Sequence, residues 1–198
     1  MLPLALRVLG THAFLGTMVI LAVGLVVIAV ALLTHRPRLL RGTTIALGGW
    51  LAAYGVALVA GPLLTAHRRL AAGEELAFCG FDCHLHVSLA RVEADGATWV
   101  TLRLRSDAKA APEYPSHLRV RAVDADGHQY QPTAGALAAM LPAGATMDSR
   151  LRFDLPAAAR DPRLIVTWGD WEDYVVPGPE NALVQRKRSI PLQPVPAS

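Results

Sequence analysis

Two long apolar runs followed by a series of short alternating ones divide the chain. Ala13 to Leu33 holds 21 residues without a charge, and at a rise of about 1.5 Å per residue that length crosses a hydrocarbon core of about 30 Å. Thr43 to Thr65 repeats the pattern, interrupted only by Pro62 near its end. The runs predict transmembrane helices over 13–33 and 43–65. Between them, Thr34 to Gly42 is long enough only for a tight hairpin connection, which makes the helices antiparallel neighbours. A cleaved leader fits the first run poorly, because the run exceeds the usual apolar length of about 7–15 residues and an arginine-rich flank follows it.

From His84 onward the dominant period is two. Leu85, Val87 and Leu89 alternate with His84, His86 and Ser88; after the Ala94-Asp95-Gly96 turn, Val100, Leu102 and Leu104 alternate with Thr101, Arg103 and Arg105. Successive strand residues point to opposite faces, so this reads as a hairpin with one buried face. Further strands are expected at 117–123, 147–155, 164–168 and 182–190, with the alanine-rich 133–141 forming a short helix or a crossing loop. About seven short strands between Gly, Pro and Asp turns predict an all-β, immunoglobulin-like antiparallel sandwich, with a closed barrel as the other arrangement. No glycine-rich phosphate loop follows a strand and no strand–helix rhythm occurs, which excludes nucleotide-binding α/β folds. The chain divides into a membrane anchor over 1–70, a β domain over 71–190 and a proline-rich tail over 191–198.

Charge sharpens that division. Residues 1–65 carry Arg7, Arg36, Arg38 and Arg41 and no carboxylate, whereas the remainder holds 15 Lys and Arg against 16 Asp and Glu. The pI of 9.2 therefore originates in the anchor and points to a lipid bilayer, with no nucleic acid implied. Basic residues flank both ends of the helix pair, so counting them does not orient it. A close cysteine pair in a strand-rich domain suits an oxidising compartment, and Glu74 and Glu75 dilute the positive flank after the second helix. Both termini and the β domain are accordingly expected in the periplasm, with the hairpin turn in the cytoplasm.

On the second helix Gly49, Ala53, Ala57 and Gly61 recur every four residues and line one stripe. Small residues at that spacing let another helix approach closely. The partner is either the first helix, which offers Gly16 and Gly24, or a separate integral membrane protein.

The pieces Phe78-Cys79-Gly80-Phe81-Asp82-Cys83-His84-Leu85-His86-Val87, Asp124-Ala125-Asp126-Gly127-His128-Gln129-Tyr130, Leu151-Arg152-Phe153-Asp154-Leu155-Pro156 and Pro177-Gly178-Pro179-Glu180-Asn181 carry a resemblance. They look like landmarks of bacterial two-helix membrane proteins with an extracytoplasmic immunoglobulin-like domain. The resemblance covers roughly residues 76–190. It implies a fold and an inner-membrane location, not an activity.

Four readings compete for Cys79, Cys83, His84 and His86. A local disulfide needs Cα atoms within about 7 Å, which a turn through Gly80 and Phe81 provides. A soft Cys₂His₂ set for copper or zinc is the second, since His84 and His86 share one strand face. Covalent haem is the third, because Cys79-x₃-Cys83-His84 is one residue longer than the usual attachment signal. The fourth is a pair of thiols without a ligand. The plan of two helices and an exported β domain is also similar to subunit II of haem-copper oxidases, whose copper site uses Cys-x₃-Cys. Here the motif opens the β domain instead of closing it, so no copper site is carried over.

His117 beside Ser116, and Asp170, Glu172 and Asp173 near the tryptophans, read as a polar strand edge and a solvated turn. Trp168, Trp171 and Tyr174 are the candidate contact surface, one tryptophan being expected in the core. Together these readings predict a non-enzymatic accessory subunit without a cofactor, packed against other integral membrane subunits. A respiratory or photosynthetic electron-transport complex is the host class. The alternative is a copper, zinc or redox module built on Cys79 to His86.

Overall fold

The chain folds as two long helices followed by a β-sandwich. A computed structural model describes residues 4–71, 73–78, 84–169, 172–178 and 181–192. Helix α1 spans Leu4–Leu33 and α2 spans Pro37–Leu64, and both are long and apolar enough to cross a membrane. The connection is shorter than the predicted Thr34–Gly42. Pro37 sits at the first position of α2, where its fixed φ favours a helix start and its missing N–H costs nothing. Arg38 and Arg41 therefore ride the first turns of α2. The two helices meet where Gly24 leaves room for Leu47: a Cβ on Gly24 would lie 2.6 Å from a Leu47 methyl. One turn further along α2, the Trp50 indole donates to the buried Thr17 hydroxyl at 3.2 Å.

Among the described residues ten strands make the sandwich: β1 (Arg68–Arg69), β2 (Leu76–Phe78), β3 (Leu85–Asp95), β4 (Ala97–Ser106), β5 (Leu118–Val123), β6 (Gln129–Tyr130), β7 (Ala134–Gly135), β8 (Thr146–Phe153), β9 (Arg163–Trp168) and β10 (Arg188–Pro191). They form two five-stranded sheets, β2-β3-β4-β8-β7 and β1-β10-β9-β5-β6. The strands that alternation predicted are the long ones. The additional ones are two- and three-residue edge pairings, too short to leave a period in sequence.

The β3–β4 hairpin turns at Gly96, whose φ of +66° a residue with a Cβ rarely adopts. Strand β3 runs past the expected end at Ala90, because a bulge between Leu89 and Arg91 shifts its phase by one residue. Before the bulge Leu85 and Val87 face inward; after it Val92 does, leaving Arg91 and Glu93 outside. Between the sheets, Leu85, Leu102, Leu104, Phe153, Leu164 and Val166 are almost wholly buried.

Two further expectations are corrected. The predicted strand at 182–190 is split: Ala182–Gln185 is a helical turn, α4, and only the last part is strand. The cause is Asn181, whose side chain caps that turn. The 133–141 stretch contains the β7 pairing and loop, with no helix; Gly135 is required there because a Cβ would overlap the Arg150 carbonyl.

Candidate functional site

The sandwich is joined to the helices by a packed seam as well as by the chain. The seam is built from helical turn α3 (Glu172–Val175), α4 and the residues around them. Its pivot is Asn181, 1% exposed. The Asn181 Oδ1 accepts from the Leu183 N–H at 2.9 Å, and Nδ2 donates to the carbonyls of Tyr174 and Val176, both at 3.0 Å. One buried amide thus satisfies three backbone groups that would otherwise lack partners. Gln185 fastens the seam to β9 by accepting from the Trp168 N–H at 3.0 Å.

The seam is bound to the helices at several points. The Tyr54 hydroxyl donates to the Val175 carbonyl at 2.5 Å. A Cβ at Gly10 would overlap the Pro177 carbonyl, so α1 approaches there only because that position is glycine. The Lys187 ammonium donates to the carbonyls of Pro62 and Thr65, the latter at 2.7 Å. Those carbonyls belong to the end of α2, where backbone acceptors lack intrahelical partners and the helix dipole favours a cation.

The sandwich's two outer faces differ in charge. On the β2-β3-β4-β8-β7 sheet, Arg103 pairs with Asp148 at 2.9 and 3.0 Å, Arg150 with Glu93 at 2.5 Å, and Arg105 with Glu75 and Asp107. Hydrogen bonds from Arg105 and Arg103 hold the Glu75 and Asp148 carboxyls below the usual range. On the other sheet, Arg121 is half-buried, and burial together with the neighbouring Arg186 pushes its guanidinium down.

The sequence-predicted residues distribute as follows. Cys79 and Cys83, between β2 and β3 in sequence, and Trp171, after β9, lie outside the described residues. His84 Nδ1 lies 3.7 Å from Glu113. His86 has both ring nitrogens near carboxylates, Nδ1 3.3 Å from Glu75 and Nε2 3.0 Å from Asp107. Of the small-residue stripe, Gly49, Ala53 and Ala57 are exposed and do not face α1, while Gly61 meets Gly178 and Val184 of the seam. Gly16 has no close neighbour; of the two α1 glycines it is Gly24 that packs on α2. Trp168 belongs to the core margin, edge-on to Phe78 at 5.5 Å, while Tyr174 is 42% exposed and stacks on Arg186.

The sequence marks Asp124-Ala125-Asp126-Gly127-His128 as a landmark of the resemblance and a strand-to-strand turn, with no ligand role. Asp124, Asp126 and His128 bring potential ligand atoms within 4.8 Å of one another. Burial raises the Asp124 carboxyl, but hydrogen bonds from Tyr130, the His128 ring and the His128 N–H outweigh it and bring the pKa to about 2. Arg160 pairs with Asp126 at 2.6 Å. Asp124, His128 and Tyr130 hold their own turn closed, and Asp126 ties it to the segment after β8.

No protein-family model matches the chain, and no curated protein matches it. Three solved structures are similar. The secreted protein MPT63 of Mycobacterium tuberculosis is 14% identical, with 52% of this chain and 90% of that one covered and a TM-score of 0.39. A β-sandwich protein of Clostridium difficile is 13% identical over 65% and 96%, with a TM-score of 0.41. An ApaG protein of Pseudomonas aeruginosa is 18% identical over 41% and 93%, with a TM-score of 0.29.

Proposed function

We propose that the chain is a bacterial inner-membrane protein whose two helices cross the bilayer as a hairpin. Its sandwich, immunoglobulin-like in type, stands on the periplasmic side with both termini. Its role is that of a non-enzymatic accessory subunit in a larger membrane complex. The observation that carries this reading is the open stripe of Gly49, Ala53 and Ala57: the helix pair uses Gly24, Leu47, Thr17 and Trp50 for its own contact and leaves the stripe bare. Packing in lipid depends on close approach rather than on expulsion of water, so such a stripe suits a further helix. The seam complements this by fixing the sandwich above the anchor.

Solubilising native membranes in a mild detergent and resolving them on a native gel tests the proposal. The chain is expected to migrate with an integral membrane partner, and Ala53→Leu to release it. Migration as a monomer, unchanged by Ala53→Leu, refutes the subunit role. Elemental analysis and a thiol count on the same material decide the alternative on Cys79, Cys83, His84 and His86, which needs bound copper or zinc or reactive thiols.

A further inference from the structure

The helix pair carries a groove that its own contacts do not fill. The groove lies along the contact of α1 with α2 and has a volume of about 660 Å³, inside the range of about 300–1,000 Å³ usual for small-molecule sites. Val19, Val23 and Val27 of α1 and Leu39 and Ala46 of α2 form its walls, with Leu47, packed on Gly24, between them. Trp50, fixed by its bond to Thr17, stands at one end. Arg38 stands at the other and is, among the described residues, the only charged group on the groove. Gly42 keeps it open: nothing lies within 4 Å of where a Cβ would be, so a side chain there would occupy the groove without disturbing the helix contact.

Position and charge identify the occupant. Arg38 is the second residue of α2, and the apolar spans end beside it, that of α1 at Leu33 and that of α2 at Pro37. If the helices cross a bilayer, Arg38 is at headgroup depth and the groove runs from it into the hydrocarbon. Trp50 lies twelve residues after Arg38, about 18 Å along α2, against about 15 Å for one leaflet's half of the hydrocarbon core. That is the reach of one acyl chain. The guanidinium fork matches phosphate oxygens geometrically, and residues 1–65 contain no carboxylate to compete with an anionic headgroup for it. A packed helix suits the groove less well, because close helix approach in lipid uses small residues. Those lie on the stripe of Gly49, Ala53 and Ala57, whereas valine and leucine wall the groove.

We propose that the groove holds an acyl chain of an acidic phospholipid from the leaflet on the side of the hairpin turn, with Arg38 binding its phosphate. This rests on the membrane-spanning reading above and not on the subunit role. Alkaline carbonate extraction tests that reading by itself: release of the chain refutes it, and the lipid site with it. Native mass spectrometry of the full chain in micelles containing equal phosphatidylglycerol and phosphatidylcholine tests the groove. Wild type is expected to retain phosphatidylglycerol about tenfold over phosphatidylcholine, Arg38→Gln to abolish that preference, and Gly42→Leu to lower retention of both lipids at least about tenfold. Gly48→Leu is the control: a Cβ there also meets nothing, but Gly48 is two residues from Ala46 and so on the other side of the helix, and retention should match wild type. Equal retention of the two lipids by wild type, unchanged retention in Gly42→Leu, or a preference lost as fully in Arg41→Gln as in Arg38→Gln overturns the proposal. A photo-crosslinker placed at Ala46 in native membranes is expected to capture lipid; capture of a protein assigns the groove to a partner helix and also overturns it.

Discussion

The two outer faces of the sandwich are built from similar material and do different work. The β2-β3-β4-β8-β7 face carries arginines matched by carboxylates within hydrogen-bond reach, a closed electrostatic surface that water covers without penalty. The β1-β10-β9-β5-β6 face lies partly under the seam, buries Thr167 and Ile165, and leaves Arg121 and Arg186 unmatched among the described residues. Alternation produces both faces, since it decides only which residues point outward. What distinguishes them is the long-range partner, and the covered face has the helix pair.

The largest expected break in that contrast is Asn181→Ala. It strands the Tyr174 and Val176 carbonyls and the Leu183 N–H in a buried site, and at about 1–3 kcal/mol per unsatisfied group the cost is expected to reach about 3 kcal/mol. Chemical denaturation measures it. Tyr54→Phe removes one bond of the seam and is expected to cost about 1 kcal/mol by the same measurement. Arg103→Ala on the open face should have the smallest effect of the three, because an exposed pair gains little over solvated ions. If Arg103→Ala is the most damaging of the three, the assignment of working and solvated faces is reversed.

Acid separates the faces in another way. Glu75 and Asp148 on the open face have folded pKa values below their ordinary ones, and so has Asp124, at about 2, in the β5–β6 turn of the other sheet. Each therefore contributes stability that is fully present above the unfolded carboxyl value of about 4 and is lost as pH falls through the folded value. Melting temperature should decline over that interval. The bonds made by Asn181, Gln185 and Tyr54 involve no titrating group there, so seam amides should keep their relative protection while the open face loosens. Parallel loss in both would show that the seam depends on charge.

Much of the architecture was legible because it is periodic. The uncharged runs announced α1 and α2, and Leu85 to Leu89 with Val100 to Leu104 announced the central hairpin. The bulge after Leu89 was not legible, since a one-residue phase shift looks like the end of a strand. Nor was α4: Ala182 to Ile190 has a strand-like composition, and the deciding residue, Asn181, acts through carbonyls five and seven positions away. The seam was the least visible feature. Tyr54 and Val175 are 121 residues apart, and no local pattern encodes their meeting. The small-residue stripe is visible in the sequence as a spacing, but which way it faces depends on packing: Gly24 meets Leu47 while Gly49, Ala53 and Ala57 stay exposed.

The central claim is that the sandwich is held on the helix pair through the seam, and hydrogen exchange on the full chain in lipid nanodiscs addresses it directly. The amides of Val184, Gln185, Arg186 and Lys187 should be strongly protected in the wild type and lose protection in Gly10→Leu, with β4 and β8 unchanged. Rapid exchange of those four amides in the wild type, or protection indifferent to Gly10→Leu, would contradict it.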